Sequence, residues 1–227
     1  MTTTVEEILD RAVLEGYLTP AVAAEGPAHS AGFLRFGPSD GVSSPSGWSD
    51  PYGSGVVGPP ADALAVDLGA GGGIPGLVLA TLTMCRWVLV DRGERRGSFL
   101  RWAVRQLGLA DRVEVVVADA AEVGRGSLRG TASLVTARGF ASPGPTVECG
   151  APLLLSGGFL VISEPPDERS GRPGRWVDGG LRTLGLEDWG GWHTGQAGYR
   201  AMQLVADCPN RFPRRFSRQI SDPLIQG

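Results

Sequence analysis

The sequence predicts an α/β fold of Rossmann-like kind, a mostly parallel twisted sheet with helices on both faces and an antiparallel edge strand. Three observations predict it. From residue 63 onward, short apolar runs alternate with amphipathic segments; a glycine cluster separates the first run from the next segment; and two late apolar runs lie close together in sequence. The runs are ALAVDLG (63–69), RWVLVD (86–91), RVEVVVAD (112–119), SLVTARGF (133–140) and GGFLVIS (157–163). Helices are expected at about 75–84, 94–108 and, interrupted by proline, 143–155. Strand, helix and strand at such intervals form right-handed βαβ units. Residues 183–193 and YRAMQLVAD (199–207) read as strands that pair antiparallel at the sheet edge.

Ahead of this core, Val5, Ile8, Leu9, Val13 and Leu14 recur near helical spacing behind Thr4, a suitable N-cap, so residues 5–16 read as an amphipathic helix. From Gly26 to Asp62 the chain is rich in Gly, Pro and Ser and reads as linker, although Trp48 and Tyr52 imply that part of it packs. The last stretch carries three prolines and no period. The expected division is a helix plus Gly/Pro/Ser-rich segment over 1–62, a cofactor-binding domain over 63–208 and a basic tail over 209–227.

The 227 residues are enough for one well-cored domain with extensions, and 35 Gly with 17 Pro imply long loops around it. All 21 basic residues are arginine. The absence of lysine excludes a P-loop lysine, a Schiff-base lysine and the Tyr and Lys pair of short-chain dehydrogenases. A net charge of −3 argues against a generic nucleic-acid binder, so local charge must decide. Cys85, Cys149 and Cys208 are far apart and His29 and His193 stand alone, which offers neither a disulfide framework nor a metal site. A reducing cytoplasm is therefore expected, and an acidic N-terminus with no apolar run long enough to span a bilayer argues against secretion and membrane insertion; a monomer is expected.

AVDLGAGGGIPGLVLA (65–80) is the most informative stretch. Its glycines allow a sharp turn and a close approach of backbone to ligand, and Pro75 suits a first helical turn. Gly71-x-Gly73-x-x-Gly76 alone also matches a dinucleotide fingerprint. Asp67, placed ahead of Gly69, Gly71 and Gly73, separates the candidates, because it would repel a pyrophosphate and attract the amino group of S-adenosylmethionine (AdoMet). Asp91 ends the next run, where a carboxylate can accept both ribose hydroxyls. Asp119-Ala120-Ala121-Glu122 would face the same crevice, with Ala121 and Glu122 beside an adenine, although Asp119 is equally suited to cap a helix.

These residues resemble the bacterial small-subunit ribosomal RNA guanine-N7 methyltransferases of the RsmG/GidB type. DLGAGGGIPGLVLA is similar to that family's cofactor loop, including the Ile-Pro-Gly after the glycines. VDRGERRGSFLRWAVRQLGL (90–109), ADAAEV (118–123) and VTARGFAS (135–142) resemble its later motifs, with Arg138 on the family's arginine. PNRFPRRFSRQISDPL (209–224) is similar to its basic, proline-punctuated tail. The family's Tyr-Asn-Leu-Thr and His-x-x-Asp-Ser elements are not visible ahead of the first strand, and Ser163-Glu164-Pro165-Pro166 stands where members carry a lysine.

The resemblance implies a class I methyltransferase with AdoMet held by Asp67, Gly69, Gly71, Gly73, Asp91, Ala121, Glu122 and Arg138. Arg138 would be the residue at the junction of cofactor and substrate, offering its guanidinium to a phosphate or the methionine carboxylate. Ribosomal RNA or the small ribosomal subunit would be the partner, met by Arg211, Arg214, Arg215 and Arg218 in a tail that holds no acid between 209 and 219 and interleaves Phe212 and Phe216. The competing view is that the two aromatics anchor the tail to the core. Methylation of a small molecule, a non-catalytic AdoMet- or RNA-binding relative and, more remotely, an NAD-dependent oxidoreductase remain alternatives at this level.

Overall fold

A computed structural model describes residues 3–37, 40–165, 176 and 178–225. Pro166 lies outside the described residues. The core runs β1 (Leu64–Leu68), α3 (Gly76–Leu82), β2 (Arg86–Asp91), α4 (Glu94–Gln106), β3 (Val113–Val117), α5 (Ala120–Val123), β4 (Ala132–Ala137), α6 (Pro143–Gly150) and β5 (Leu154–Glu164). It is preceded by α1 (Val5–Leu14) and α2 (Pro20–Gly32), and followed by α7 (Asp178–Thr183), β6 (Leu186–Thr194), β7 (Ala197–Leu204) and α8 (Phe216–Ser221). Among the described residues seven strands are ordered β3-β2-β1-β4-β5-β7-β6. The first five are parallel, and β7 runs antiparallel to both β5 and β6. The antiparallel strand is therefore the penultimate one, with β6 outside it at the edge.

Alternation along the strands builds two cores. Ala65, Trp87, Leu89 and Leu134 face α3, α4 and the N-terminal helices, whereas Val66, Val88, Val90 and Val135 face α5, α6 and the C-terminal segment. The central strands are apolar on both faces because both are covered.

The described residues of 26–62 are not linker. Thr19 caps α2, its hydroxyl accepting from the Val22 N–H at 3.3 Å, and the helix continues to Gly32. Proline and glycine inside it obscure the period, and it is held by packing: Ala31, Phe33, Leu34 and Phe36 are buried in the main core. Downstream, Val57 N–H donates to Leu34 O at 2.9 Å, and Trp48 meets Phe36 and Phe159 edge-on. Tyr52, by contrast, is half-exposed.

The last stretch also differs from a period-free tail. Phe212 is buried, α8 forms after it, and Arg214 reaches into the body. Glu148 on α6 is fully buried, and its carboxylate accepts from Arg214 Nε at 2.8 Å, Nη2 at 2.7 Å and the backbone N–H at 2.7 Å. A buried carboxylate requires such a partner. Arg214→Ala would leave Glu148 charged and unpaired, and should cost about 3 kcal/mol in urea unfolding. Arg214→Lys should recover only part, since it lacks the planar fork.

Candidate functional site

The helices after β1 and β4 lie on opposite faces of the sheet, and a crevice opens between them at the strands' carboxyl ends, the usual ligand position in such folds. A cavity of about 330 Å³ sits there, lined by Gly69 and Gly71, by Asp91, Arg92 and Arg96, and by Asp119 and Ala120. Tyr17, Phe140 and Phe216 add aromatic rings to its wall.

The glycine turn is tied to the end of β2. The N–H groups of Gly69 and Ala70 donate to Val90 O at 2.9 and 3.0 Å, and Gly71 N–H donates to Asp91 Oδ2 at 3.0 Å. Gly71 has φ 54°, in the left-handed region that favours glycine. Asp91 Oδ1 accepts from Gly93 N–H at 2.8 Å and Arg96 Nε at 2.9 Å. The carboxylate is only 5% exposed, so these donors keep a nearly buried charge compensated while it borders the cavity.

Asp67 is placed differently from the sequence reading. It does not line the cavity; it is fully buried beneath the turn. Its Oδ1 accepts from Thr136 Oγ1 at 2.8 Å on the neighbouring strand, and its Oδ2 from Gly76 N–H at 3.0 Å at the start of α3. A Cβ on Gly76 would lie 2.4 Å from Asp67 Cβ, so only glycine permits this approach. The acid before the glycines thus shapes the turn from below. Gly73, with φ 101°, also belongs to the turn and not to the cavity lining.

Ala121 and Glu122 are likewise not on the cavity lining. Asp119 caps α5 by accepting from Ala121 N–H at 2.8 Å, which occupies that donor, and the residue on the cavity wall is Ala120.

Arg138 follows β4, half-buried, and is outside the cavity lining. Among the described residues its guanidinium makes no hydrogen bond or ion pair. Burial lowers its pKa, opposed by Tyr199, Glu25 and Asp67. Beside it His29 is held down to about 4 by burial and by the Arg138 charge, so its imidazole is neutral at physiological pH. His29 Nε2 is buried without a hydrogen-bond partner among the described residues. A cation and a neutral imidazole thus lie close together, the cation without a hydrogen-bond partner among the described residues.

Of the expected RNA-binding cations, Arg214 is committed to Glu148, whereas Arg211, Arg215 and Arg218 are exposed. Arg218 pairs with Asp222 at 2.9 Å, and Arg211 lies over the Phe212 ring at 4.9 Å. No group of three or more His, Cys, Asp or Glu among the described residues could hold a metal ion, and no described helix is long and apolar enough to cross a membrane.

The profile of the GidB family, rRNA small subunit methyltransferase G, matches residues 57–165. A ribosomal RNA small subunit methyltransferase G from Parasynechococcus marenigrum is 31% identical over 176 residues, covering 71% of this chain and 67% of the relative. The chain belongs to this family. A second member, from Kineococcus radiotolerans, is 42% identical over 97 residues, but the match spans only 42% of this chain and 37% of that relative. The fold is shared with a Corynebacterium glutamicum protein of known crystal structure at a TM-score of 0.54, with 16% identity over 91% of this chain and 93% of that one. P. horikoshii TYW2 in complex with MeSAdo shares it at 0.51, with 14% identity over 64% and 58%.

The family profile contains the glycine turn, Asp91, Phe140 and Arg138, but neither Tyr17 nor Phe216. Phe140 lay in a motif visible in the sequence. Tyr17 and Phe216 carry no comparable signal, since they reach the cavity only through long-range packing.

Asp67 makes a pH prediction. Burial pushes its carboxyl up to about 7, above an ordinary 3.8, with Asp91 adding to the rise and the bonds from Thr136 and Gly76 opposing it. The folded chain therefore retains a proton that the unfolded chain releases. The resulting stabilisation is complete below 3.8 and is lost as pH rises through about 7. Asp67→Asn can keep both bonds, its carbonyl accepting from Gly76 and its amide donating to Thr136. Urea unfolding between pH 4 and pH 7.5 should show wild type losing stability relative to this variant, by a few kcal/mol at most.

Proposed function

We propose that this chain uses AdoMet to methylate guanine N7 in small-subunit ribosomal RNA, acting as a cytoplasmic monomer on that RNA or on the small ribosomal subunit. The observation that carries the reading is the glycine turn bonded to Asp91 on the wall of a 330 Å³ cavity, in a chain of this family. The cavity has the size of a small-molecule site. Its lining fits AdoMet in kind: an open glycine backbone, a strand-end carboxylate able to accept ribose hydroxyls, and aromatic rings for a flat base. Asp91, Gly69, Gly71 and Ala120 would hold the cofactor.

AdoMet supplies an electrophilic methyl group on a sulfonium. Guanine N7 carries an in-plane lone pair, so no side chain has to remove a proton before attack. The chain's work is to align nucleophile and methyl group, and such positioning can lower a barrier by about 7–11 kcal/mol. Arg138 suits that role, because its guanidinium is partly desolvated, makes no hydrogen bond among the described residues and can donate to a phosphate or to guanine O6. The sequence reading also gave Arg138 to the methionine carboxylate; its place outside the cavity lining favours the substrate side. Exposed Arg211, Arg215 and Arg218 would meet RNA phosphates near Phe216, while Arg214 serves the fold.

Asp91→Ala removes the ribose acceptor and leaves Arg96 and Gly71 N–H without their partner. AdoMet binding measured by calorimetry should weaken by about 1–3 kcal/mol.

The whole reading is tested by incubating the protein and labelled AdoMet with unmodified small-subunit RNA, followed by mass analysis of the nucleosides. N7-methylguanosine is the expected product, and its absence with both RNA and 30S particles would overturn the proposal. Arg138→Ala should lower turnover at least tenfold at little cost in melting temperature. A large loss of stability with normal activity would place Arg138 in the fold instead.

A further inference from the structure

We propose that Phe216 is the wall against which the cofactor's adenine rests, and that the carboxyl-terminal segment is a strap that holds it there. This rests on the AdoMet reading above. The strap is fixed on both sides of the ring. Ahead of it, Arg125 Nη2 donates to Pro213 O at 2.5 Å, Arg129 Nη1 donates to Phe212 O at 2.7 Å, and Arg129 Nη2 donates to Cys208 O at 2.7 Å. Closer in, Arg214 is forked onto the buried Glu148. Behind the ring, the buried Gln219 donates to Arg214 O at 2.8 Å and accepts from Cys149 Sγ at 3.4 Å.

Between these anchors Phe216 is left half-buried, and it borders the cavity with Asp119 and Ala120. That is the side of the cavity where an adenine must lie if Asp91 takes the ribose, because β3, which leads into Asp119, pairs directly with β2, which ends in Asp91. Adenine presents a flat π face with little net charge, and an aromatic ring held in advance can stack on it without first being ordered. Pinning both flanks while leaving the residue between them only half-buried gives the strap a purpose that covering the core alone would not require.

Calorimetry with AdoMet and with adenosine, on the full chain, tests the assignment. Phe216→Ala should weaken both ligands at least fivefold, and by similar factors, because the lost contact is to the base. Phe216→Tyr should restore binding, and the unliganded melting temperature should change little. Ile220→Ala, an exposed position on the same short helix, should leave both affinities unchanged. If Phe216→Ala does not fold, Phe216→Leu keeps the apolar bulk without the ring and should still weaken adenosine. Adenosine binding within twofold of wild type in a folded variant that lacks the ring would overturn the inference and leave the AdoMet reading standing. Failure of the wild type to bind AdoMet would overturn both.

Discussion

Beneath the glycine turn, the buried carboxylate of Asp67 accepts one hydrogen bond from Thr136 across the β1–β4 pair and one from the first N–H of α3. Asp67 and Thr136 are register partners, so the bond fixes two strands at the point where the sheet changes winding direction. The second bond sets where α3 begins and therefore the span the turn must close. Neither oxygen can be left unpaired at that depth, and Gly76 must lack a Cβ for the carboxylate to approach. The turn above inherits its shape from this constraint, and its own bond to Asp91 completes the link between β1 and β2.

The cavity is not the property of the α/β core alone. On one side Leu18 packs so closely on Gly72 that a Cβ there would lie 2.6 Å from it, while Ile74 sits with Leu9 and Ala23 of the N-terminal helices. Tyr17 leaves that covering to reach the cavity, and its ring meets Phe99 of α4 at 5.2 Å. On the other side the carboxyl-terminal strap brings Phe216. Division of the chain into a cofactor domain flanked by an appendage and a tail therefore understates both ends, each of which supplies a wall.

Charge is distributed by the same logic. An all-arginine basic set gives planar forks that can satisfy several acceptors from one side chain. Arg129 binds the carbonyls of Gly124, Cys208, Pro209 and Phe212, and Arg214, which the sequence offered to RNA, saturates Glu148, so both arginines are structural. Against that background the uncommitted guanidinium of Arg138 is informative. It is half-buried without a hydrogen-bond partner among the described residues, beside a neutral imidazole, where a ligand can supply one.

Sequence alone determined the parallel strands, their helices and the place of the turn, because each rests on local period and on glycine. It also placed Gly69, Gly71 and Asp91 at the cavity and Arg138 after β4. It could not tell that the acid at 67 points into the fold, since strand alternation gives a face but not the depth of its cover. It misread residues 26–62 because proline, glycine and alanine hide the helical period of α2, whose stability comes from Phe33, Leu34 and their contacts with distant strands. Tertiary structure alone decided the places of Tyr17, Arg214 and Phe216, for their partners are far away in sequence and no local pattern encodes a contact made across the fold.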